Sequence, residues 1–386
     1  MASNLFQTAN ILIDKLENKG FEAYIVGGAV RDHLLSKEVY DIDITTSAHP
    51  RDIKAIFPKT IDVALKHGTV IVCFMGETYE VTSYRAPTLS EDLKLRDFTI
   101  NAIALQNNGK MVDPYFGQDD LKRKLIRGVV NPTERFKEDP LRMLRAFRFV
   151  SQLGFTVEEK TFLAITNKKQ NIAKVAIERI AAEFGKLCLG VNCEKSLQLL
   201  MKSKLINEIS EFNEINHCLM EEKILKAIPA LTDMTEVWSL LLYYAKVNNC
   251  ETFLRTWKQP KKVIDDVKMI TSRLPILLTR CFSEEDLYFL GIEKAKKAER
   301  VRAVLKNEAH PNIEEIMRDY ERLSIKNKKD LAINGKDIIC LLKDAESRER
   351  VGQLISIVEK AVLSRHVENN KKAIIRWLRK EGYVNA

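Results

Sequence analysis

Tyr24-Ile-Val-Gly-Gly-Ala-Val-Arg-Asp32, with Tyr40-Asp-Ile-Asp-Ile44 close behind it, decides how this chain folds. Ala23 to Val26 reads as a short buried strand. Gly27 and Gly28 let the backbone turn sharply and approach a ligand, and a helix is expected from Ala29 to Leu35. Free N–H groups at a helix start suit a phosphate, and Arg31 adds a fixed positive charge. Asp41 and Asp43 lie two apart among β-branched residues, so on a strand their carboxylates share one face while Ile42 and Ile44 point into a core. Two close carboxylates repel unless a cation separates them. Mg²⁺, which combines a few carboxylates with water and phosphate oxygens, is the natural choice. Alone, an Asp-x-Asp is more often a solvated turn and a Gly-Gly a loop. Adjacent and in this order, they equip a site for metal-assisted phosphoryl transfer.

The order Gly-Gly-x-x-Arg-Asp then Asp-x-Asp resembles the signature of polymerase-β-like nucleotidyltransferases, in particular the branch of bacterial tRNA nucleotidyltransferases (CCA-adding enzymes) and poly(A) polymerases. Further motifs follow in that family's order. Leu95-Arg-Asp-Phe-Thr-Ile-Asn-Ala102 resembles its Arg-Asp-x-x-x-Asn-Ala run. Arg96, Asp97 and Asn101 are polar among apolar neighbours and need partners if buried. A triphosphate would serve Arg96, and a ribose hydroxyl Asp97 or Asn101; the alternative is a helix cap by Asp97 and a surface Arg96. Glu80, on a later strand, is either a supporting carboxylate or a surface residue.

Phe136-Lys-Glu-Asp-Pro-Leu-Arg142 opens a helix in which Asp139 is the expected N-cap and Pro140 the first helical residue. Arg142, Arg145 and Arg148 recur every third residue, which alone describes a solvated basic face. Glu138, Asp139 and Arg142 also match the Glu-Asp-x-x-Arg motif that the resemblance assigns to base reading, with Arg145 and Arg148 lining the same pocket. An ionised Asp only accepts and an Arg only donates. Together they match the amine-plus-ring-nitrogen edge of cytosine and adenine and oppose uracil and guanine. Glu178, Arg179 and Glu183 resemble a motif that braces this helix; the alternative is ordinary i,i+4 surface pairing.

The 386 residues exceed one compact core. Net charge is +9, which favours a polyanionic partner. The 7 cysteines form no Cys-x-x-Cys pair, as expected in a reducing cytoplasm. No apolar run reaches membrane-spanning length, and no signal peptide is apparent. Strands are expected at 60–65, 69–75 and 78–85, with helices at 4–19 and 50–57; beyond 150 the pattern is helical almost throughout. The expected architecture is an α/β nucleotidyltransferase head (1–126), then an all-α neck with the base-reading motif (127–190), body (191–270) and tail (271–386). Lysine clusters in the tail suit a tRNA backbone.

The resemblance implies an enzyme that extends tRNA from CTP and ATP with Mg²⁺, using Asp41 and Asp43 for metal and Gly27, Gly28, Arg31, Arg96, Asp97, Asn101, Asp139, Arg142, Arg145 and Arg148 for nucleotide. A poly(A) polymerase would share the head motifs, and a non-catalytic RNA-binding protein would keep the basic helical part but would not need both Asp41 and Asp43. One departure stands out. Only Ala86 to Lys94 joins the strand ending near Arg85 to Leu95. Enzymes that add all of C, C and A carry a longer, mobile connection there, so the short one resembles the subtype that adds only the two C residues. If another segment, near Asp113 to Gly117, supplies the motion, full CCA is made.

Overall fold

The computed structural model describes residues 2–64, 68–342 and 348–384. It contains two compact units, Met1–Asn216 and His217–Ala386. The division falls inside the 191–270 stretch expected to form one helical segment.

The first unit begins with α1 (Ala2–Glu17), β1 (Ala23–Val26), α2 (Gly28–Leu34), β2 (Asp43–Thr46), α3 (Pro50–Ile56), β3 (Thr60–Ala64), β4 (Thr69–Phe74) and β5 (Glu77–Ser83). Next come α4 (Leu89–Lys94), β6 (Ala104–Leu105), β7 (Met111–Val112), α5 (Gly117–Arg123) and β8 (Leu125–Ile126). The expected strand 60–65 is observed to Ala64; Leu65 lies outside the described residues. One mixed sheet has the order β3-β4-β5-β2-β1-β6-β7. β2 runs antiparallel to β1 and parallel to β5, which sets Asp43 opposite Glu80. Leu12, Ile13 and Leu16 of α1 are fully buried, so α1 seals the sheet with the apolar stripe its periodicity announces.

Most expected boundaries shift by one or two residues, and two of the shifts bear on the cavity. β2 starts at Asp43, because Val26, its partner there, is the last residue of β1 and Gly27 turns the chain away. Asp41 therefore precedes the strand, yet Ile42 and Ile44 are buried as the alternation requires. The helix after the glycines starts at Gly28 and is only seven residues long.

Helices α6 (Pro132–Glu138), α7 (Leu141–Leu153), α8 (Glu159–Lys168), α9 (Ile177–Cys188) and α10 (Cys193–Ser203) complete this unit, with β9 (Thr156–Val157) paired to β8. α7 is the pivot. The Ser151 hydroxyl donates to Leu187 O at 2.6 Å and Ser196 donates to Phe147 O at 2.6 Å. At Gly190 a Cβ would stand 2.2 Å from Ser151 Oγ, so the corner between α9 and α10 closes only on glycine.

The second unit is helical: α11 (Glu222–Ala227), α12 (Met234–Tyr244), α13 (Cys250–Thr256), α14 (Lys261–Leu277), α15 (Glu284–Leu305), α16 (Ile313–Glu321), α17 (Gly335–Leu341), α18 (Arg348–Leu363) and α19 (Lys371–Lys380). Trp238, Trp257 and Phe253 pack edge and face in its core, with the two indoles 5.0 Å apart. α15 is kinked at Gly291, whose φ of 67° and ψ of 162° are denied to other residues. No helix among the described residues is long and apolar enough to cross a membrane.

Candidate active site

A cavity of about 810 Å³ opens in the first unit, lined by Gly27, Gly28, Arg31, Asp41, Asp43, Arg96, Asp97, Asn101, Asp139, Arg142, Arg145 and Arg148. Every candidate residue is brought to it. Tyr40, Glu80, Arg85, Asp92, Gln152, Arg179 and Lys186 line it as well.

The acidic corner is built from Asp41, Asp43 and Glu80. Register across β2 and β5 places Glu80 beside Asp43 on the lining of the cavity, while its own side chain is exposed, so both readings of Glu80 stay open. Desolvation at the foot of the cavity raises the Asp43 carboxyl, Arg96 opposes this, and Asp41 adds to it. Desolvation and then Asp43 raise Glu80. Asp43 thus feels the repulsion of Asp41, and Glu80 that of Asp43, with Arg96 the compensating charge nearest Asp43. Among the described residues, no group of three or more His, Cys, Asp or Glu side chains is assembled around a metal position. The donor set fits a cation that completes its shell with phosphate and water, the habit of Mg²⁺.

Gly27 is required twice. Its φ is 75°, and a Cβ there would sit 3.1 Å from Arg96 Nη1 and 3.4 Å from Asp43 Oδ2. Arg96 Nε is buried without a hydrogen-bond partner, and burial lowers the pKa of this side chain; Arg148 Nε also lacks a hydrogen bond but is ion-paired with Glu183. A buried guanidinium group with an idle donor calls for an anion.

Asp97 and Asn101 need no ribose to be satisfied. Asp97 accepts hydrogen bonds from Phe98 N at 2.8 Å, Asn101 Nδ2 at 3.0 Å, Arg145 Nε at 2.9 Å and Arg145 Nη2 at 2.6 Å. Burial alone would raise this carboxyl, but Arg145, Asn101 and the Phe98 N–H hold it at about 2. Asn101 Oδ1 in turn accepts from Arg31 Nη1 at 2.8 Å, and Arg31 also pairs with Asp32 at 2.7 Å. The helix after Asp97 is a single 3₁₀ turn, Thr99–Asn101. One carboxylate thus joins the glycine-turn helix to α7, through residues 48 positions apart in sequence.

Asp139 is the C-cap of α6, and Pro140 occupies the N-cap position of α7. The expected N-cap role shifts by one residue because α6 runs to Glu138, yet Asp139 Oδ1 still accepts from Leu141 N at 3.2 Å. The Asp139 carboxylate is held by Arg179 at 2.9 and 3.3 Å. Arg142 donates to Leu95 O at 2.8 Å and pairs with Glu138 at 3.2 Å. Asp139 and Arg142 are therefore each oriented by other partners. Glu183 lies 3.5 Å from Arg145 and 2.9 Å from Arg148, the brace its motif implies. Burial lowers Arg148 to about 10 despite Glu183. The Phe149 ring lies under the guanidinium groups of Arg31, Arg145 and Arg148, with the nearest at 4.2 Å.

The short connection after β5 is structured. Thr88 caps α4 by accepting from Glu91 N, and Leu89 and Leu93 join a core with Val26, Ala102, Ala104 and Val129. Asp92 is 1% exposed and accepts from Arg85 N and Nε, both at 3.1 Å. Tyr115 OH donates to Ser90 O at 2.8 Å. Asp113 also ties down its own turn, accepting from Gly117 N at 2.7 Å and Gln118 N at 2.9 Å. A Cβ on Gly117 would meet Thr99 O at 2.2 Å.

Residues 23–127 match the poly A polymerase head domain, residues 154–216 the probable RNA and SrmB-binding site of polymerase A, and residues 230–378 the putative tRNA nucleotidyltransferase domain 2. A CCA-adding enzyme of Geobacillus kaustophilus is 39% identical over 391 residues, covering 97% of this chain and 96% of that protein. The Enterococcus faecalis CCA-adding enzyme is 36% identical, covering 98% and 97%. Among solved structures, the Bacillus stearothermophilus CCA-adding enzyme in complex with CTP superposes with a TM-score of 0.90 at 39% identity, over 98% of each chain. A Thermotoga maritima CCA-adding enzyme complexed with tRNA, at 23% identity and a TM-score of 0.67, shares the fold. The chain belongs to the bacterial CCA-adding enzyme family of tRNA nucleotidyltransferases.

Proposed function

We propose that this enzyme transfers cytidylate from CTP to the 3′ end of tRNA, twice, without a nucleic-acid template, and leaves A to a separate enzyme. The carrying observation for the chemistry is the meeting of the acidic corner, the unsatisfied Arg96 and the Asp139–Arg142 edge in one cavity. Asp41 and Asp43, with Glu80 beside them, would hold Mg²⁺. Bound there, such an ion supplies charge neutralisation at the reacting phosphate and a lowered pKa for the attacking hydroxyl. Arg96 and the Gly27–Gly28 turn hold the triphosphate. The contribution of the helix dipole is small, since α2 has under two turns. The 3′ oxygen bonds to the α-phosphorus, the bond from that phosphorus to the bridging oxygen breaks, pyrophosphate leaves, and the hydroxyl proton passes to solvent. Arg31, already paired with Asp32, orients Asn101 and contributes less charge than its position promises.

Asp139 accepts from the exocyclic amine of cytosine and Arg142 donates to its ring nitrogen and carbonyl. A uracil would leave both charged groups opposed, which is costly in a desolvated site. Arg179 and Glu138 hold the two readers in place. Restriction to C rests on the connection 86–94. Accepting the larger adenine requires the readers to move, and α4 is capped, packed in the core and latched by Arg85 and Asp92. The 113–117 turn, the other segment that could move, is pinned by Asp113 and Gly117. We assign 1–126 as head, 127–190 as neck, 191–270 as body and 271–386 as tail, the tail gripping tRNA by charge. All seven cysteines are unpaired, in keeping with a reducing cytoplasm. The test uses tRNA ending at the discriminator base, with CTP and ATP together. Product two nucleotides longer is expected, and efficient conversion to a third, ending in A, refutes restriction to C.

A further inference from the structure

The cavity has two aromatic side chains, Tyr40 and Phe149. Phe149 is buried under three guanidinium groups. Tyr40 is 76% exposed. It precedes Asp41 directly, so its root lies about 3.8 Å along the backbone from the acidic corner. Its hydroxyl donates to Glu38 at 2.7 Å, which ties one edge of the ring to the rim and leaves the face open. Exposing so much apolar surface gives up the burial that usually stabilises an aromatic residue.

A reading of the site as tRNA-extending, on which this inference rests, creates a need that the other lining residues do not meet. The strand that delivers its 3′-hydroxyl to the acidic corner ends in a different base at each cycle: any discriminator base first, then C. Hydrogen bonds to base edges cannot serve all of these, whereas stacking is indifferent to base identity because every base has a π-face. We propose that Tyr40 is the stacking platform for the terminal base of the acceptor strand and so a positioning residue for the attacking hydroxyl. The incoming base is read elsewhere, by α6 and α7; the platform stands on the connection between α2 and β2.

The test compares full-length wild type, Tyr40→Ala, Tyr40→Phe and Tyr40→Trp on tRNA transcripts ending in each of the four discriminator bases, at saturating CTP. For Tyr40→Ala, KM for tRNA should rise on the order of five- to thirty-fold, the size of one modest stack, and more for purine ends than for pyrimidine ends. KM for CTP should stay within about twofold, and Tyr40→Phe and Tyr40→Trp should behave as wild type. A second readout needs no turnover: 2-aminopurine at the tRNA terminus should be quenched on binding wild type and not on binding Tyr40→Ala. The proposal is overturned if Tyr40→Ala leaves KM for tRNA unchanged at all four ends, if the loss falls on CTP instead, or if Tyr40→Phe is as defective as Tyr40→Ala. If wild type extends no tRNA at all, the underlying reading fails, and the 2-aminopurine signal still decides the stack.

Discussion

Replacing Asp97 by Asn tests the joint between the glycine-turn helix and α7. The native carboxylate accepts four hydrogen bonds, two of them from Arg145. Its pKa falls from 3.8 to about 2, and at 1.36 kcal/mol per unit this is roughly 2–3 kcal/mol of stability at neutral pH. An amide cannot recover it, because the Nδ2 group would confront donors on Arg145 or Asn101. The unfolded chain binds the extra proton between about pH 4 and 2, so wild-type stability rises with pH through that window and is complete above it. The gap between wild type and Asp97→Asn should therefore be full at pH 7 and 5 and narrow below about 4. Trp238, Trp257 and Trp377 all belong to the second unit, so tryptophan emission follows that unit. Urea melts should be read by far-UV circular dichroism alongside emission, the first unit being the part of the change that emission does not track. A first-unit stability within about 0.5 kcal/mol of wild type at pH 7, the spread of ordinary surface changes, refutes the argument. So does a gap that persists undiminished at pH 3.

Other consequences can be measured directly. Asp43→Asn should lower incorporation by about two or more orders of magnitude with tRNA affinity retained. Because ionised Asp43 is held against its raised pKa, the metal-free variant should also melt higher than wild type at pH 7; a lower melting temperature contradicts the repulsive corner. Asp139→Ala should let UTP compete with CTP, with Arg179→Ala doing so more weakly; an equal loss with all four nucleotides would make Asp139 structural. Truncation near residue 330 would strip Ile338, Val358, Ile374 and Leu378 from the core of the second unit, so the tail is better tested by charge. Lys372→Gln, Arg376→Gln and Arg379→Gln together should weaken tRNA binding and flatten the logarithmic salt dependence of its affinity, by about 0.7–0.9 for each phosphate no longer neutralised. An unchanged slope argues against tRNA lying on α19.

The first five strands of the head were legible because each is a short run rich in β-branched or aromatic residues, whereas β6, β7 and β8, two residues each, give no run to read; the cavity residues were legible because they cluster in motifs. Partnerships were not. Asp97 and Arg145 stand 48 positions apart, and no local pattern announces that they meet, or that Asp139 answers to Arg179 rather than Arg142. Nor does the motif around Asp97 and Asn101 announce the protein partners that each one has, Phe98 N and Arg145 for the carboxylate and Arg31 for the amide. Arg85 carries no signal in a run reading Ser-Tyr-Arg-Ala-Pro; its place in the cavity follows from the fold-back of α4 onto β1 and β6. Tyr40 likewise looks like any surface tyrosine until the carboxylates beside it are seen to face a cavity. The start of β2 at Asp43 depended on where its neighbour ended, a property of the pair.

The bond between Arg85 and Asp92 also concentrates the geometry of this junction on one carboxylate. The two residues are seven apart and close the base of the connection, with Asp92 also touching Thr45 Oγ1 at 3.4 Å. Asp92 thereby fixes the end of β5, the start of α4 and the hydroxyl of a β2 residue at once. Its removal would leave the Arg85 N–H and the Thr45 hydroxyl to find other acceptors in a buried place. The segment behaves as a closed staple, with its clasp at residue 92.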